Sequence, residues 1–327
     1  MRQRQRGYVL ILVLGALALL SLVAASLAAQ VDVLRTQAAT VKEEFDRERQ
    51  GLEAWHEALY ALIVSPPSPA GWGAVRGDGR PYRTSNGATV EFYDERGFVS
   101  VNLIDRAIWH RLLEPFVPDL QGRDAMLDVL MDYTDVDESR RLNGAEASEY
   151  EALGLPPPRN DWMLSLIELD RLPGWRDRTE ALTGIRPWLT TGFAPGINLN
   201  TAPVSLLKRL LPGQTAEAWE LFSLHRERQP FISAQGVRAG SGIQVPDEGL
   251  AYYAGMRVQV RVRPSEERLG LQYNLMINPA GAFAPWLVSA VEPISGSTKP
   301  FLDRNATSVP LALPTAASSP YMGGPQL

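Results

Sequence analysis

The pattern of hydrophobic positions begins with an apolar run and changes, further along, into a helical stripe. No charged side chain occurs from Tyr8 to Ala29, and as a helix rising about 1.5 Å per residue this run spans roughly 33 Å, one bilayer core. Apolar residues then recur every three, four or seven positions, as on one face of an amphipathic helix: Val31, Leu34, Ala38, Val41, Phe45, Leu52, Trp55, Leu59 and Leu62. The pattern predicts a membrane-spanning helix over 8–29 that continues as an amphipathic helix over 30–65, ended by the prolines from Pro66 onward.

Alternating apolar and polar positions later in the chain predict β-strands. Residues 89–93 alternate and are followed by a turn, so residues 98–103 are expected to pair with them as a hairpin. Further alternation that suits an antiparallel sheet occurs in three segments: 252–262, 271–277 and 284–291.

These elements divide the part of the chain after the membrane helix into a sheet domain and an insertion. Residues 66–104 and 240–295 are expected to form a small α+β domain whose sheet packs on the amphipathic helix. Residues 105–239, which read as largely helical, would be an all-α insertion within it. Residues 296–327 are rich in Pro, Ala, Ser and Gly with little to bury, which predicts a disordered tail.

Composition and charge exclude several function classes. The 327 residues include no cysteine, so disulfides, thiolate metal sites and cysteine nucleophiles are excluded. The formal charge is −5, and it becomes −8 if a cut before Tyr8 removes Arg2, Arg4 and Arg6. An acidic chain is a poor electrostatic match for nucleic acid.

The charges around the apolar run predict its orientation. Arg2, Arg4 and Arg6 precede it and the first acid is Asp32, so the positive-inside tendency keeps the amino terminus cytoplasmic and exports the rest. An ordinary secretory signal, cut near Ala28 or Ala29, is the alternative. Against it, the helical pattern continues past the apolar run, which a cleaved signal has no reason to do.

The basic leader, Gly7 and the fused helix together resemble the type IV pilin and type II secretion pseudopilin class. The resemblance implies a pilin-like fold, cleavage by prepilin peptidase between Gly7 and Tyr8, and methylation of the new amino terminus at Tyr8. Members usually carry a glutamate five residues into the mature chain, where this sequence has Leu12. In pilins this costly membrane carboxylate pairs with the amino terminus of the subunit assembled before it. The K-type minor pseudopilin family lacks the glutamate and caps the filament tip, so Leu12 points to that family.

An acidic loop lies inside the predicted insertion. Residues 131–150 carry Asp132, Asp135, Asp137 and Glu138, followed by Glu146 and Glu149. Alternating acids near a turn at Gly144 can converge oxygens on a hard cation such as calcium. From spacing alone, a solvated acidic loop is the favoured alternative, because no EF-hand register is present.

A longer motif around this loop resembles the K-type pseudopilin family. That family has an Asp-aromatic-x-Asp-x-Asp run, then Gly-Ala-Glu and a tyrosine, then an asparagine before a Ser-x-x-Glu-Leu helix. The matching residues here are Asp132, Tyr133, Asp135, Asp137, Gly144, Ala145, Glu146, Tyr150, Asn160, Ser165, Glu168 and Leu169. Tyr133 stands where the family usually has tryptophan. Because structures in the family contain calcium in the helical insertion, the resemblance implies a structural calcium held by Asp132, Asp135, Asp137 and Glu146.

The resemblance, which extends to about residue 290, implies a role in assembly rather than catalysis. It implies a subunit at the tip of the periplasmic pseudopilus of a type II secretion system, which starts or caps assembly for the export of folded proteins across the outer membrane. The implied partners are minor pseudopilins I and J, the major pseudopilin, prepilin peptidase and inner-membrane lipid. The implied location is the bacterial inner membrane, crossed once, with the body in the periplasm.

Other interpretations rest on fewer residues. The chain could be a minor pilin or a competence-type pseudopilin. Residues 198–219 also resemble the helix-hairpin-helix of DNA-binding competence receptors, with Lys208 and Arg209 as nearby cations, but the hairpin Gly213, Gln214, Thr215 lacks the second glycine and the acidic charge disfavours DNA. An enzyme has little support, because no phosphate loop, metalloprotease helix or nucleophile elbow is visible.

Overall fold

The computed structural model describes residues 6–193, 195–246, 248–264, 269–295 and 308–313. Its helices are α1 Arg6–Ile63, α2 Arg106–Leu113, α3 Leu120–Thr134, α4 Ala147–Ala152, α5 Thr179–Ile185, α6 Val204–Leu210, α7 Ala216–Arg228 and α8 Ala234–Ser241. Three 3-10 helices lie at Glu95–Gly97, Leu166–Arg171 and Arg186–Trp188. The strands are β1 Pro67–Ser68, β2 Gly71–Trp72, β3 Val75–Arg76, β4 Asp78–Arg83, β5 Thr89–Asp94, β6 Val99–Ser100, β7 Leu189–Thr190, β8 Ile197–Asn198, β9 Leu250–Ala251, β10 Arg257–Arg263, β11 Leu269–Ile277, β12 Trp286–Ser295 and β13 Val309–Pro310.

The chain divides into two compact units, Met1–Leu52 and Glu53–Leu327. Helix α1 contributes residues to both. In the first unit, apolar side chains from Val9 to Leu52 are exposed. The second unit contains the sheet and the insertion, and its two hydrophobic cores are formed by separate sets of buried residues.

The main sheet has six strands in the order β12-β11-β10-β5-β4-β13, antiparallel except for the last pair. In the central pair, Val260 lies opposite Phe92, and both are fully buried. The last turns of α1 cover this face because Ala54, Ala58 and Leu62 are small or apolar at helical spacing and have no exposed surface. Trp55 also stacks on Tyr273 of β11 with ring centroids 4.0 Å apart. The expected packing of a sheet on the amphipathic helix is therefore present.

The predicted hairpin of residues 89–93 with 98–103 is wrong. Strand β5 pairs with β4 and β10 instead. The reason is local: Asp94 caps the 3-10 helix that follows, with its Oδ1 accepting from the Arg96 amide at 3.1 Å, and the chain turns away from the sheet. Val99–Ser100 then pairs in parallel with Leu189–Thr190 of the insertion.

The insertion has its own core, in which large side chains from distant segments meet. Trp109 and Trp175 are both fully buried and pack edge to face at 5.8 Å, an arrangement that aromatic rings favour. The sequence predicted an all-α insertion, and this is wrong in one respect, because the insertion also contains the two short strands β7 and β8. These pair in parallel with β6 and β9, so they join the insertion to the segments that flank it.

A buried carboxylate, Asp94, fixes the insertion to the sheet domain. Its Oδ2 accepts from Asn198 Nδ2 and Thr201 Oγ1, each at 2.9 Å, and its Oδ1 accepts from the Gly255 amide at 3.0 Å. Asp94 has no exposed surface, and burial raises its pKa although these donors oppose the rise. A lone buried carboxylate is tolerated where several donors converge on it.

The predicted disordered tail is wrong at residues 308–313. Val309 and Pro310 pair in parallel with Tyr82 and Arg83 of β4, and the Leu311 amide donates to the Arg83 carbonyl oxygen at 2.8 Å. The rest of the predicted tail, residues 296–307 and 314–327, lies outside the described residues.

Candidate functional site

The apolar part of α1 is a surface without a partner in the described chain. Helix Val9–Ile63 is the one helix in the described ranges that is long and apolar enough to cross a membrane, with a mean hydropathy of 2.7 in its most apolar window. Leu12 lies in it with 63% of its surface exposed. The predicted cleavage residues Gly7 and Tyr8 lie in the first turn of the helix.

The amphipathic stripe predicted over Val31 to Leu62 is buried at its C-terminal end and exposed before it. Trp55, Leu59 and Leu62 are buried in the core of the second unit. The residues before them are exposed, including Val41 at 64% and Phe45 at 62%. Only the last part of the stripe therefore covers the chain's own sheet.

The acidic loop begins at the C-terminal end of α3. Asp132 is in the last turn of the helix with no exposed surface, and Asp135 is its C-cap. The partial negative charge at a helix C-terminus disfavours carboxylates there unless a cation compensates them. Gly144 packs directly on Asp132, since a Cβ at position 144 would collide with the carboxylate. The sequence had suggested this glycine for its turn, but close approach is what requires it.

Arg141 supplies positive charge to the loop. Its Nη1 donates to Asp132 Oδ1 and to Asp135 Oδ2, and its backbone amide donates to Asp132 Oδ2 at 3.2 Å. The structure thus brings Asp132 and Asp135 together around a guanidinium. Asp137 is exposed, and its Oδ1 accepts from the Ser139 amide at 2.7 Å.

Glu146 is the least compensated acid of the group. It is the N-cap of α4, where its side chain faces the Glu149 amide in a capping-box arrangement. Only 6% of its surface is exposed, and neither of its carboxylate oxygens has a hydrogen bond of normal geometry from the described residues. Burial, with the negative charges of Asp132, Asp135 and Asp137, raises the pKa of Glu146 to about 7. A buried carboxylate without a donor is an unusual feature that calls for a missing partner.

Two further polar atoms near the loop also lack partners among the described residues: Asn160 Oδ1 and the Tyr150 hydroxyl. Asn160 donates through Nδ2 to the Asp137 carbonyl oxygen at 3.3 Å and has a positive φ of 48°. Such backbone strain in a residue other than glycine often accompanies a functional site. The sequence motif included Asn160 and Tyr150, but only the fold shows that their oxygens are unsatisfied.

The donor set fits a hard oxygen-binding cation, although the loop is not a preformed cage. Carboxylate and amide oxygens are the ligands that calcium prefers, and several of them here are buried without partners. No three His, Asp or Glu side chains in the described ranges already converge as a metal-binding group. A metal would therefore need the loop to rearrange around Asp132 and Glu146.

The segment that resembles a helix-hairpin-helix contains α6 and α7, which are joined by a short turn. Gly213 adopts φ +81° in the turn, and Thr215 caps α7 by accepting from the Ala218 amide at 3.1 Å. The two helices are thus joined by a short turn at the predicted position.

Two of the three histidines make side-chain contacts within the insertion. His110 contacts Asp124 at 2.9 Å, and Asp124 also binds Arg106 at 3.1 Å. His225 stacks on Phe231. Both arrangements stabilise the insertion by packing and hydrogen bonding.

A long apolar amino-terminal helix, whose end packs on an antiparallel sheet that carries a helical insertion, is the arrangement of a pilin-like fold. Residues 84–192 match the family model described as "Type II secretion system (T2SS), protein K". The resemblance predicted from the sequence is thereby confirmed, and it supports a minor pseudopilin role.

Comparison with solved structures confirms the predicted fold class. The chain is similar to one in the crystal structure of the GspK-GspI-GspJ complex from the enterotoxigenic Escherichia coli type 2 secretion system, with a TM-score of 0.52 and 15% sequence identity. The match covers 78% of this chain and 99% of the other. At this identity the likeness concerns the fold, namely a pilin-like fold with a helical insertion. No curated protein matches the sequence.

Proposed function

We propose that the chain is a non-enzymatic minor pseudopilin that starts or caps the periplasmic pseudopilus of a type II secretion system, and so supports export of folded proteins across the outer membrane. The observation that carries the proposal is the family match over residues 84–192, joined to a single apolar helix whose side chains are exposed in the described chain. The helix crosses the bacterial inner membrane once, with the amino terminus in the cytoplasm and the body in the periplasm.

The tip position is supported by Leu12 and by the insertion. A carboxylate in the apolar part of α1 would need a partner from a preceding subunit. Leu12 is uncharged and needs no such partner. The described residues of the insertion form seven α-helices, α2 to α8, so the insertion adds bulk beside the sheet domain that would obstruct a subunit stacked above it. Both features suit a subunit that has neighbours below it only.

The proposed partners contact the exposed part of the amphipathic stripe. Val31, Leu34, Val41, Phe45 and Leu52 are all exposed, and a helix face with apolar residues at this spacing suits packing against other helices. The similar solved chain comes from a complex of GspK, GspI and GspJ. We assign minor pseudopilins of types I and J to this face, with the major pseudopilin below them.

Processing at Gly7 tests the proposal most directly. Co-expression with prepilin peptidase should give a mature chain that begins at Tyr8 and carries a methylated amino group, identified by mass spectrometry. The matched control is Gly7→Val, which should stay uncleaved. A mature end near Ala28 or Ala29 would instead show an ordinary secretory signal and contradict the proposal.

The proposed cofactor is a structural calcium in the acidic loop, held by Asp132, Asp135, Asp137 and Glu146, with Asn160 Oδ1 as an additional ligand. Calcium would supply two positive charges to buried oxygens that otherwise lack partners. Its expected effect is on the stability of the insertion, because binding to the folded chain alone raises the melting temperature.

Chelation tests the calcium site. The melting temperature of the full chain in detergent should fall when EDTA is added and recover with excess calcium. Glu146→Gln should reduce this response, whereas Glu151→Gln, an exposed change on the neighbouring helix, should retain it. A melt that is independent of EDTA, in a protein shown by elemental analysis to hold no metal, would reject the site.

A further inference from the structure

The acidic loop already contains a cation, which lies between two carboxylates. Arginine often binds one carboxylate through two parallel N–H groups, but a single nitrogen can also bridge two acids, as Arg80 Nη2 does with Asp78 and Glu227. In this loop the single Nη1 of Arg141 bridges two different carboxylates, those of Asp132 and Asp135. The guanidinium is thus used as a compact positive charge placed between two acids.

Arg141 compensates only part of the negative charge around it. Its one positive charge contacts Asp132 and Asp135, whose negative charges also act on Glu146. Asp135 Oδ1 and both oxygens of Glu146 are left without partners among the described residues. A divalent cation carries twice the charge and accepts six to eight oxygens. The loop is therefore better suited to the ion than to the arginine that lies in it.

The side chain of Arg141 reaches the surface of the loop. Its side chain is 31% exposed, whereas the side chain of Asp132 is fully buried. It follows a bend in the chain and precedes the turn closed by the Gly144 amide, which donates to the Arg141 carbonyl oxygen at 3.1 Å. Rotation of the side chain would bring the guanidinium into water, where it is well solvated.

We propose that Arg141 is a tethered counterion: it holds Asp132 and Asp135 together in the metal-free chain and is displaced when a divalent cation binds between them. The inference rests on the proposed calcium site. It explains how so acidic a loop stays folded before metal arrives, since like charges repel unless a cation lies among them. It also gives the loop selectivity, because a monovalent ion brings no more charge than the arginine it would replace.

The test is calcium titration of three full-length variants by isothermal calorimetry in detergent. Arg141→Met keeps the aliphatic stem and removes the charge, so calcium should bind roughly tenfold more tightly, because no charged hydrogen bonds need to be broken first. Arg140→Met is the matched control, since Arg140 binds Glu149 at 2.8 Å and does not contact Asp132 or Asp135. Its calcium affinity should equal that of the wild type.

Arg141→Lys separates charge from shape and covers the case in which Arg141→Met fails to fold without metal. It keeps a positive charge on a flexible stem, so its calcium affinity should lie close to that of the wild type. If Arg141→Met and Arg141→Lys both bind calcium as the wild type does, the charge at position 141 does not compete with the metal, and the inference is overturned.

The outcomes distinguish this inference from the calcium proposal itself. If the wild type and Arg141→Met both bind no calcium, the calcium site fails and the inference fails with it. If only Arg141→Met binds, Arg141 is a permanent counterion and the calcium site is wrong for the natural chain. A second readout is the Arg141 side-chain NMR signal, assigned by its absence in Arg141→Met, which should change from slow to fast guanidinium rotation as calcium is added; no change with bound calcium would also overturn the inference.

Discussion

Asp94 and Glu95 are adjacent, and both are buried, but they differ in how many hydrogen bonds their carboxylates accept. Asp94 accepts hydrogen bonds from two side chains and two backbone amides. Glu95 Oε2 accepts none from the described residues, and its carboxylate lies directly against Gly192, where any Cβ would collide with it. Asp94 is therefore a structural hydrogen-bond acceptor, whereas burial with fewer donors disfavours the charge of Glu95.

Replacement of Asp94 should loosen the junction between the insertion and the sheet domain. Asp94→Ala would leave Asn198, Thr201 and the Gly255 amide with unsatisfied donors, so the free energy of unfolding should fall by about 3 kcal/mol or more. Denaturant unfolding of the full chain in detergent measures this. Asp177→Ala, at a side chain that is 82% exposed, is the control, and a loss of equal size in both variants would contradict the role of Asp94.

Glu95 should make stability depend on pH. Burial is the main cause that raises the pKa of Glu95 from 4.5 to about 7, with Asp94 adding to the rise and Arg257 opposing it. Because the folded chain holds this proton more tightly, the stabilisation is complete below about pH 4.5 and is lost as the pH rises through 7.

Comparison with Glu95→Gln isolates this effect. Between about pH 4 and pH 8 the wild type should lose on the order of 3 kcal/mol of unfolding free energy relative to the variant. The measurement is the difference between the two unfolding free energies as a function of pH. A difference that stays constant over that range would show that Glu95 does not titrate as described.

Single-residue roles were predictable where the sequence places the partners close together. The acids of the loop and Gly144 stand within a short segment, so their grouping could be predicted. Other contacts arise only from tertiary packing, such as those of Asp94 with Asn198 and of Glu95 with Gly192. The bridging position of Arg141 was missed although it lies in the loop, because spacing does not show which way a long side chain turns.

At the scale of elements, α1 has one surface with two different environments. Its last turns bury Ala54, Ala58 and Leu62 against the sheet, whereas Phe45 and the apolar residues before it are exposed. Substitutions along the same stripe should therefore affect folding at one end and assembly at the other.

Phe45→Ser and Leu59→Ser should separate these effects. Phe45→Ser should reduce co-purification with the proposed I-type and J-type partners and leave the melting temperature nearly unchanged, since the Phe45 side chain is 62% exposed. Leu59 is 7% exposed, so Leu59→Ser should lower the unfolding free energy by about 3 kcal/mol. Glu44→Ser, also on the exposed part of α1, is the assembly control; normal partner capture by Phe45→Ser would remove this face from the interface.

Elements with a strong periodic pattern were predictable, and those that depend on distant partners were not. The long helix and strands β5, β10, β11 and β12 follow from their patterns. Strand β4 was missed because Asp78–Arg83 contains a glycine and a proline, which disfavour strands. The false hairpin came from treating neighbours in sequence as neighbours in the sheet, whereas β10 pairs with β5 across the whole insertion.

For the whole molecule, the position of the subunit in the filament is the central question, and Leu12 provides a test. In a subunit with a predecessor, a glutamate at position 12 would find an amino terminus to pair with. In a subunit without one, it would be an unpaired carboxylate in lipid, which costs roughly 3 kcal/mol or more.

Leu12→Glu and Leu14→Glu should therefore impair secretion equally. Both leucines lie in the same exposed apolar part of α1, so the matched pair cancels the general cost of a charge in the membrane. Secretion of a reporter exoprotein, with each variant as the sole copy, measures the effect. If Leu12→Glu is clearly better tolerated than Leu14→Glu, the chain has a predecessor and is not the first subunit.

The edges of the six-stranded sheet have a consequence for how such a molecule can polymerise. Its two outermost strands, β12 and β13, contain Pro293 and Pro310, and each proline removes one N–H donor from an edge strand. Strand-by-strand stacking of one sheet onto another, as in amyloid, is therefore obstructed at both ends. The exposed apolar part of α1, rather than the edges of the sheet, is therefore the surface on which contacts with related subunits can form.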